Sequence, residues 1–79
     1  MGHRQRFKPA ERETFTAGTA VEWLNVSRWS PATVDTGTVE TDGIGGQFVW
    51  LTYTGPTTRT ISHGQKVSGY PGAVRLPQS

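Results

Sequence analysis

Apolar and polar residues alternate along this chain in short groups, and no long window sustains a helical period. The groups are rich in strand formers. Twelve threonines lie in the chain with Val, Ile, Trp and Tyr beside them, and branched or aromatic side chains suit a pleated surface. Gly and Pro recur between the groups at intervals of roughly ten residues, the spacing of short strands joined by turns. The pattern predicts strands over 19–26, 31–41, 47–54, 57–63 and 73–76. Gly37, inside the second, marks a bulge or sharp bend. Asp42-Gly43-Ile44-Gly45-Gly46 reads as the turn into the third strand, which Gly55-Pro56 ends. A short 3₁₀ turn is expected over 64–66, and Pro77 stops the last strand.

Five short, bent strands in so small a chain predict an all-β domain, a five-stranded SH3-like barrel. Gly37, Gly45 and Gly46 would supply the bends that let it close. An OB-type barrel needs more length and a helix between its third and fourth strands, which nothing between Tyr53 and Ile61 offers. Alternation points Val21, Val34, Val39, Val49, Leu51, Ile61, Val67, Val74 and Leu76 inward, with Trp29 and one of Phe48 or Trp50. Each such side chain contributes about 1.5–3 kcal/mol before entropy is subtracted.

Composition narrows the classes. At 79 residues the chain is one domain at most, and without cysteine it has neither disulfides nor a thiolate metal site. No apolar run approaches the roughly 20 residues of a membrane span, nor is there a secretory-type stretch. A cytoplasmic protein without membrane contact is therefore expected. The formal net charge is +2, and all of the excess sits in the leading segment, on Arg4, Arg6, Lys8 and Arg12 against Glu11 and Glu13. Residues 1–14 read as a flexible basic arm and 15–79 as the barrel. The arm is a candidate for backbone phosphates, while the neutral body counts against a phosphate-tracking face.

Two short motifs carry a family resemblance. The run Val21-Glu22-Trp23-Leu24-Asn25-Val26-Ser27-Arg28-Trp29-Ser30-Pro31-Ala32-Thr33-Val34, preceded by Gly18, resembles the opening hairpin of Tudor domains. Leu51-Thr52-Tyr53-Thr54-Gly55 is similar to the end of that family's third strand. The resemblance spans 18–77 and implies a Tudor-like barrel. Tudor domains hold methylated Lys or Arg in a cage of about four aromatic side chains. Trp23 and Tyr53 fall on two of those positions, and Ser30 and Pro56 stand on the others.

Catalytic chemistry finds no footing. His3 lies in the arm and His63 at a turn, and Ser62 points away from its neighbour in a strand. Asp35, Glu40 and Asp42 flank a bend, where solvated acids are ordinary and do not match a calcium loop. Gly43-Ile44-Gly45-Gly46 leads into a strand, whereas a phosphate cradle leads into a helix. Nothing calls for a cofactor. The aromatics carry the information, because so small a domain cannot bury all eight, and inward Val49 and Leu51 turn Trp50 outward with Phe48. Trp23, Trp50, Tyr53 and Tyr70 are the candidate ligand-binding residues of a non-catalytic module that grips a protein or peptide segment. The alternative is a nucleic-acid accessory protein, with bases stacked on these rings and Arg4, Arg6, Lys8 and Arg12 on phosphates. Either would act as a monomer or weak homo-oligomer.

Overall fold

The computed structural model describes residues 16–77. The arm expected over 1–14, with Arg4, Arg6, Lys8 and Arg12, lies outside the described residues.

The first two strands, β1 (Ala20–Asn25) and β2 (Arg28–Val34), form a hairpin in register from Ala20↔Thr33 to Asn25↔Arg28. Alternation builds it, with Val21 and Trp23 facing the core opposite Ala32 and Ser30. Its loop is Val26-Ser27, and Val26 has φ 61°. Positive φ at the first of two loop positions is ordinarily taken by glycine. β2 then pairs with β4 (Gln47–Tyr53) through Ala32↔Tyr53, Thr33↔Thr52 and Val34↔Leu51. The short β3 (Glu40–Thr41) takes the rest of that edge of β4, opposite Phe48 and Gln47. The other edge of β4 pairs with β5 (Lys66–Gly69), and β6 (Val74–Arg75) returns to β1 by Glu22↔Arg75 and Trp23↔Val74. The antiparallel order is β3-β4-β2-β1-β6, with β5 off that path beside β4.

The sheet curls around Val21, Ala32, Val34, Val49, Leu51, Tyr53, Ile61, Val67 and Val74, with Trp23, Val39 and Leu76 packed partly against them. The curl brings the end of β5 onto β6. A Cβ on Gly69 would stand 2.5 Å from Val74 Cγ2 and 2.9 Å from Leu51 Cδ1, so only glycine permits the approach. The expected closed barrel does not form: among the described residues no ladder joins β5 to β6, and the domain is an open, curled half-barrel.

Four further expectations change. The strand expected over 31–41 breaks after Val34. The Asp35 carboxylate turns to the Thr52 hydroxyl and to Lys66, and Thr36 Oγ1 accepts the Thr38 N–H at 3.2 Å, a local bond that competes with a ladder. The segment 57–63 is a loop for the same reason. Thr58 Oγ1 accepts the N–H groups of Thr60 and Ile61, and Thr57 Oγ1 accepts that of His63, so these amides need no partner strand. Instead of a 3₁₀ turn over 64–66, a tight turn closed by Gln65 N–H to Ser62 O at 3.0 Å leads into β5, a strand absent from the sequence reading. Trp29, expected in the core, lies half-buried on the outer face. Its ring is covered there by the Arg75 guanidinium, 3.6 Å above the centroid, and Arg75 in turn donates to Glu22 Oε1 at 2.8 Å.

Candidate binding surface

Strand β4 positions the site by parity. Val49, Leu51 and Tyr53 enter the core, so Phe48 and Trp50 stand on the outer face. Phe48 is nonetheless only 8% exposed, because two rings cover it. Trp50 meets it edge-on at 5.1 Å between centroids, and Tyr70 lies over it at 5.5 Å and 40°. Tyr70 arrives from the loop after β5, where its carbonyl accepts the Ala73 N–H at 2.9 Å. The covering rings stay partly in water, Trp50 at 36% and Tyr70 at 37% exposure. Such edge-to-face and tilted pairs fix ring orientation as well as burying area.

The turn before β4 locks this ledge from the other side. Asp42 Oδ1 accepts the N–H groups of Ile44 at 2.9 Å and Gly46 at 2.7 Å, and Asp42 Oδ2 accepts the Tyr70 hydroxyl at 3.0 Å. The Ile44 and Gly46 amides hold the Asp42 carboxyl below the usual carboxylate range, and the bond to Asp42 holds the Tyr70 phenol above its ordinary value. Beside Trp50 lies a cleft of about 240 Å³ bordered by Asp35, Thr36, Glu40 and Lys66. Lys66 and Thr52 hydrogen-bond the Asp35 carboxylate and lower its pKa. The ledge is therefore aromatic, rigid and rimmed mainly by carboxylates.

A larger cleft of about 470 Å³ opens at the far end of the sheet, between the Val26-Ser27 turn and the loop after β4. Arg28 stands on its lip, and Trp29, Pro31, Pro56 and Ile61 line it.

The four candidate ligand-binding residues do not converge. Trp50 and Tyr70 share the ledge around Phe48. Trp23 is half-buried against the core from the inner face of β1. Tyr53 is a buried core residue whose hydroxyl donates to the Pro56 carbonyl at 2.7 Å and whose ring is hemmed in by Gly55. His63 sits in a turn, its Nδ1 donating to the Gly55 carbonyl at 2.9 Å. Among the described residues, no three metal-ligating side chains gather, and no helix is long and apolar enough to cross a membrane. The sequence reading missed Asp42 as the partner of Tyr70, since turn acids look alike before the fold brings them to a ring. The sharing of Phe48 by Trp50 and Tyr70 was foreshadowed by the outward parity of β4 and by the place of Tyr70 before the last strand, from which it could pack on Trp50 or Trp23.

Comparison with protein-family models, with curated proteins and with solved structures finds no match to this chain. The fold and its surface define a class: a small, curled antiparallel half-barrel bearing a partly exposed aromatic cluster.

Proposed function

We propose that this domain is a non-catalytic, cytoplasmic binding module of Tudor-like, SH3-like architecture that captures an extended protein segment on the Phe48–Trp50–Tyr70 ledge. One observation carries the reading. Trp50 and Tyr70 are held over a buried phenylalanine and by the Asp42 hydrogen bond, yet each keeps about a third of its surface in water. Rings already fixed in place lose little conformational freedom when a ligand packs on them. The rim supports a protein segment over a nucleic-acid strand on this face. Asp35, Glu40 and Asp42 surround Trp50 and its neighbours against Lys66 alone, and phosphodiesters are repelled by such a rim.

The test is a panel of extended peptides of graded charge, followed by indole emission. Wild-type protein is expected to bind neutral and basic peptides, and the Trp50→Ala/Tyr70→Ala variant to lose binding with its melting profile retained. Equal binding by the variant would refute the reading, as would preference for an acidic peptide or for a single-stranded oligonucleotide on this ledge.

A further inference from the structure

Residues 16–77 carry Arg28, Arg59, Lys66 and Arg75 against Glu22, Asp35, Glu40 and Asp42, so the described part is formally neutral. These charges are sorted in space. Glu22 and Arg75 face each other across β1 and β6. Asp35 and Lys66 pair with each other beside Trp50 and Thr52, and Glu40 and Asp42 flank the β3–β4 turn, a net of −2 there. Arg28 and Arg59 lie at the opposite end, a net of +2. The register fixes this separation: Tyr53 at the end of β4 opposes Ala32, and Arg28 lies beyond it, while the 42–46 turn sits at the start of β4. Among the described residues, Arg28, Arg59 and Glu40 have no ion-pair partner.

The two ends also differ in shape. At the negative end Ile44 projects from the tip of its turn, 95% exposed. Its backbone is pinned by the Asp42 carboxylate, so the side chain is a fixed apolar knob beside acids. At the positive end the cleft of about 470 Å³ is lined by Trp29, Pro31, Pro56 and Ile61 among polar side chains, with no carboxylate in its lining. Arg28 edges it, and Arg59 lies between its lining residues Thr58 and Thr60.

We propose that these are the two halves of one head-to-tail contact, with a second copy of this chain as the occupant. The Ile44 turn of one copy enters the Arg28–Arg59 cleft of the next, and Asp42 and Glu40 meet the two guanidinium groups. Complementary patches at different places on one molecule make a heterologous contact, which closes into a ring or runs on as a filament instead of stopping at a dimer. The proposal gives the negative end of the domain a partner and rests on the binding reading only to that extent. Its socket variant changes Arg28 and Arg59, at the opposite end of the domain from the Trp50 surface, so the two can fail separately.

Sedimentation velocity of the full chain at low and moderate salt is the experiment. At low salt, concentration-dependent species larger than a dimer are expected, and added salt should dissolve them. Ile44→Lys removes the knob and Arg28→Glu/Arg59→Glu removes the socket; each variant alone should be monomeric. Mixed in equal amounts, they retain one intact knob and one intact socket between them, so they should form a dimer and nothing larger. Unchanged melting curves establish that both variants fold. Wild-type protein that stays monomeric at low salt overturns the proposal. So does assembly that survives in either variant, or a mixture that yields no dimer. A single-stranded oligonucleotide that binds the Arg28–Arg59 cleft of a monomeric wild type would assign that cleft to phosphate instead.

Discussion

Replacing Val26 should stabilise the domain, although Val26 is a hydrophobic residue in a hairpin. Its side chain is 94% exposed, so its removal forfeits almost no buried area. Its φ of 61° places a β-branched residue where Cβ crowds the following carbonyl, at a cost of about 1–2 kcal/mol. Glycine removes that strain and returns about 0.5–1 kcal/mol through the greater freedom of the unfolded chain. The net expectation for Val26→Gly is a gain of about 0.5–1 kcal/mol. Asparagine tolerates the left-handed region while keeping a side chain, so Val26→Asn should gain about 1 kcal/mol. For a domain of this size, 1 kcal/mol raises Tm by about 4–8 °C. Thermal and urea unfolding followed by tryptophan emission would measure both, with the urea midpoint rising and the slope unchanged. Val26→Ala is the control, since it removes the exposed methyls and keeps a Cβ at positive φ. If Val26→Ala gains as much as Val26→Gly, solvent exposure and not backbone strain is the cause. If Val26→Gly melts lower than wild type, the strain argument is refuted.

Gly69→Ala should be destabilising by about 1–3 kcal/mol, because the added methyl drives into Val74 and Leu51 where the sheet curls; an unchanged urea midpoint would show that β6 yields freely. Asp42→Asn should return the Tyr70 phenol toward its ordinary pKa of 10.0, read as phenolate absorbance against Tyr70→Phe to isolate this ring. The Asp42 carboxyl is depressed, so its contribution to stability is present above the usual carboxylate pKa of 3.8 and is lost as pH falls through the lower folded value. Acid unfolding monitored across that window should accordingly be blunted in Asp42→Asn, and an identical acid limb in the two proteins would remove Asp42 from the account.

Alternation was enough to read β1 and β4 and to face Trp50 outward, because Val49 and Leu51 leave β4 one choice of parity. It failed where side chains satisfy the backbone locally. Thr57, Thr58 and Thr60 look like strand residues in composition, yet their hydroxyls bind neighbouring amides and hold a loop. The same chemistry at Thr36 ends β2 early. Strand β5 escaped because Lys66-Val67-Ser68-Gly69 offers a single buried branched side chain and a glycine whose purpose is the nearness of Val74. Trp29 was misplaced because its cover, Arg75, comes from the last strand of the chain. The Tyr70–Asp42 bond spans 28 positions, beyond any local pattern. The basic arm lies outside the described residues, so its reading stands apart from these comparisons.

The meeting of β6 with β1 has a kinetic consequence. Glu22 and Arg75 are 53 positions apart, and Val74, which lies against the core beside Gly69, belongs to the same late segment. During synthesis the hairpin of β1 and β2 must wait, with Val21 and Ala32 unroofed, until nearly the whole domain has left the ribosome. Long-range pairing of this kind slows folding and lengthens the time for which sticky surface is on show. The vulnerable moment for this protein is thus the interval before its last strand arrives.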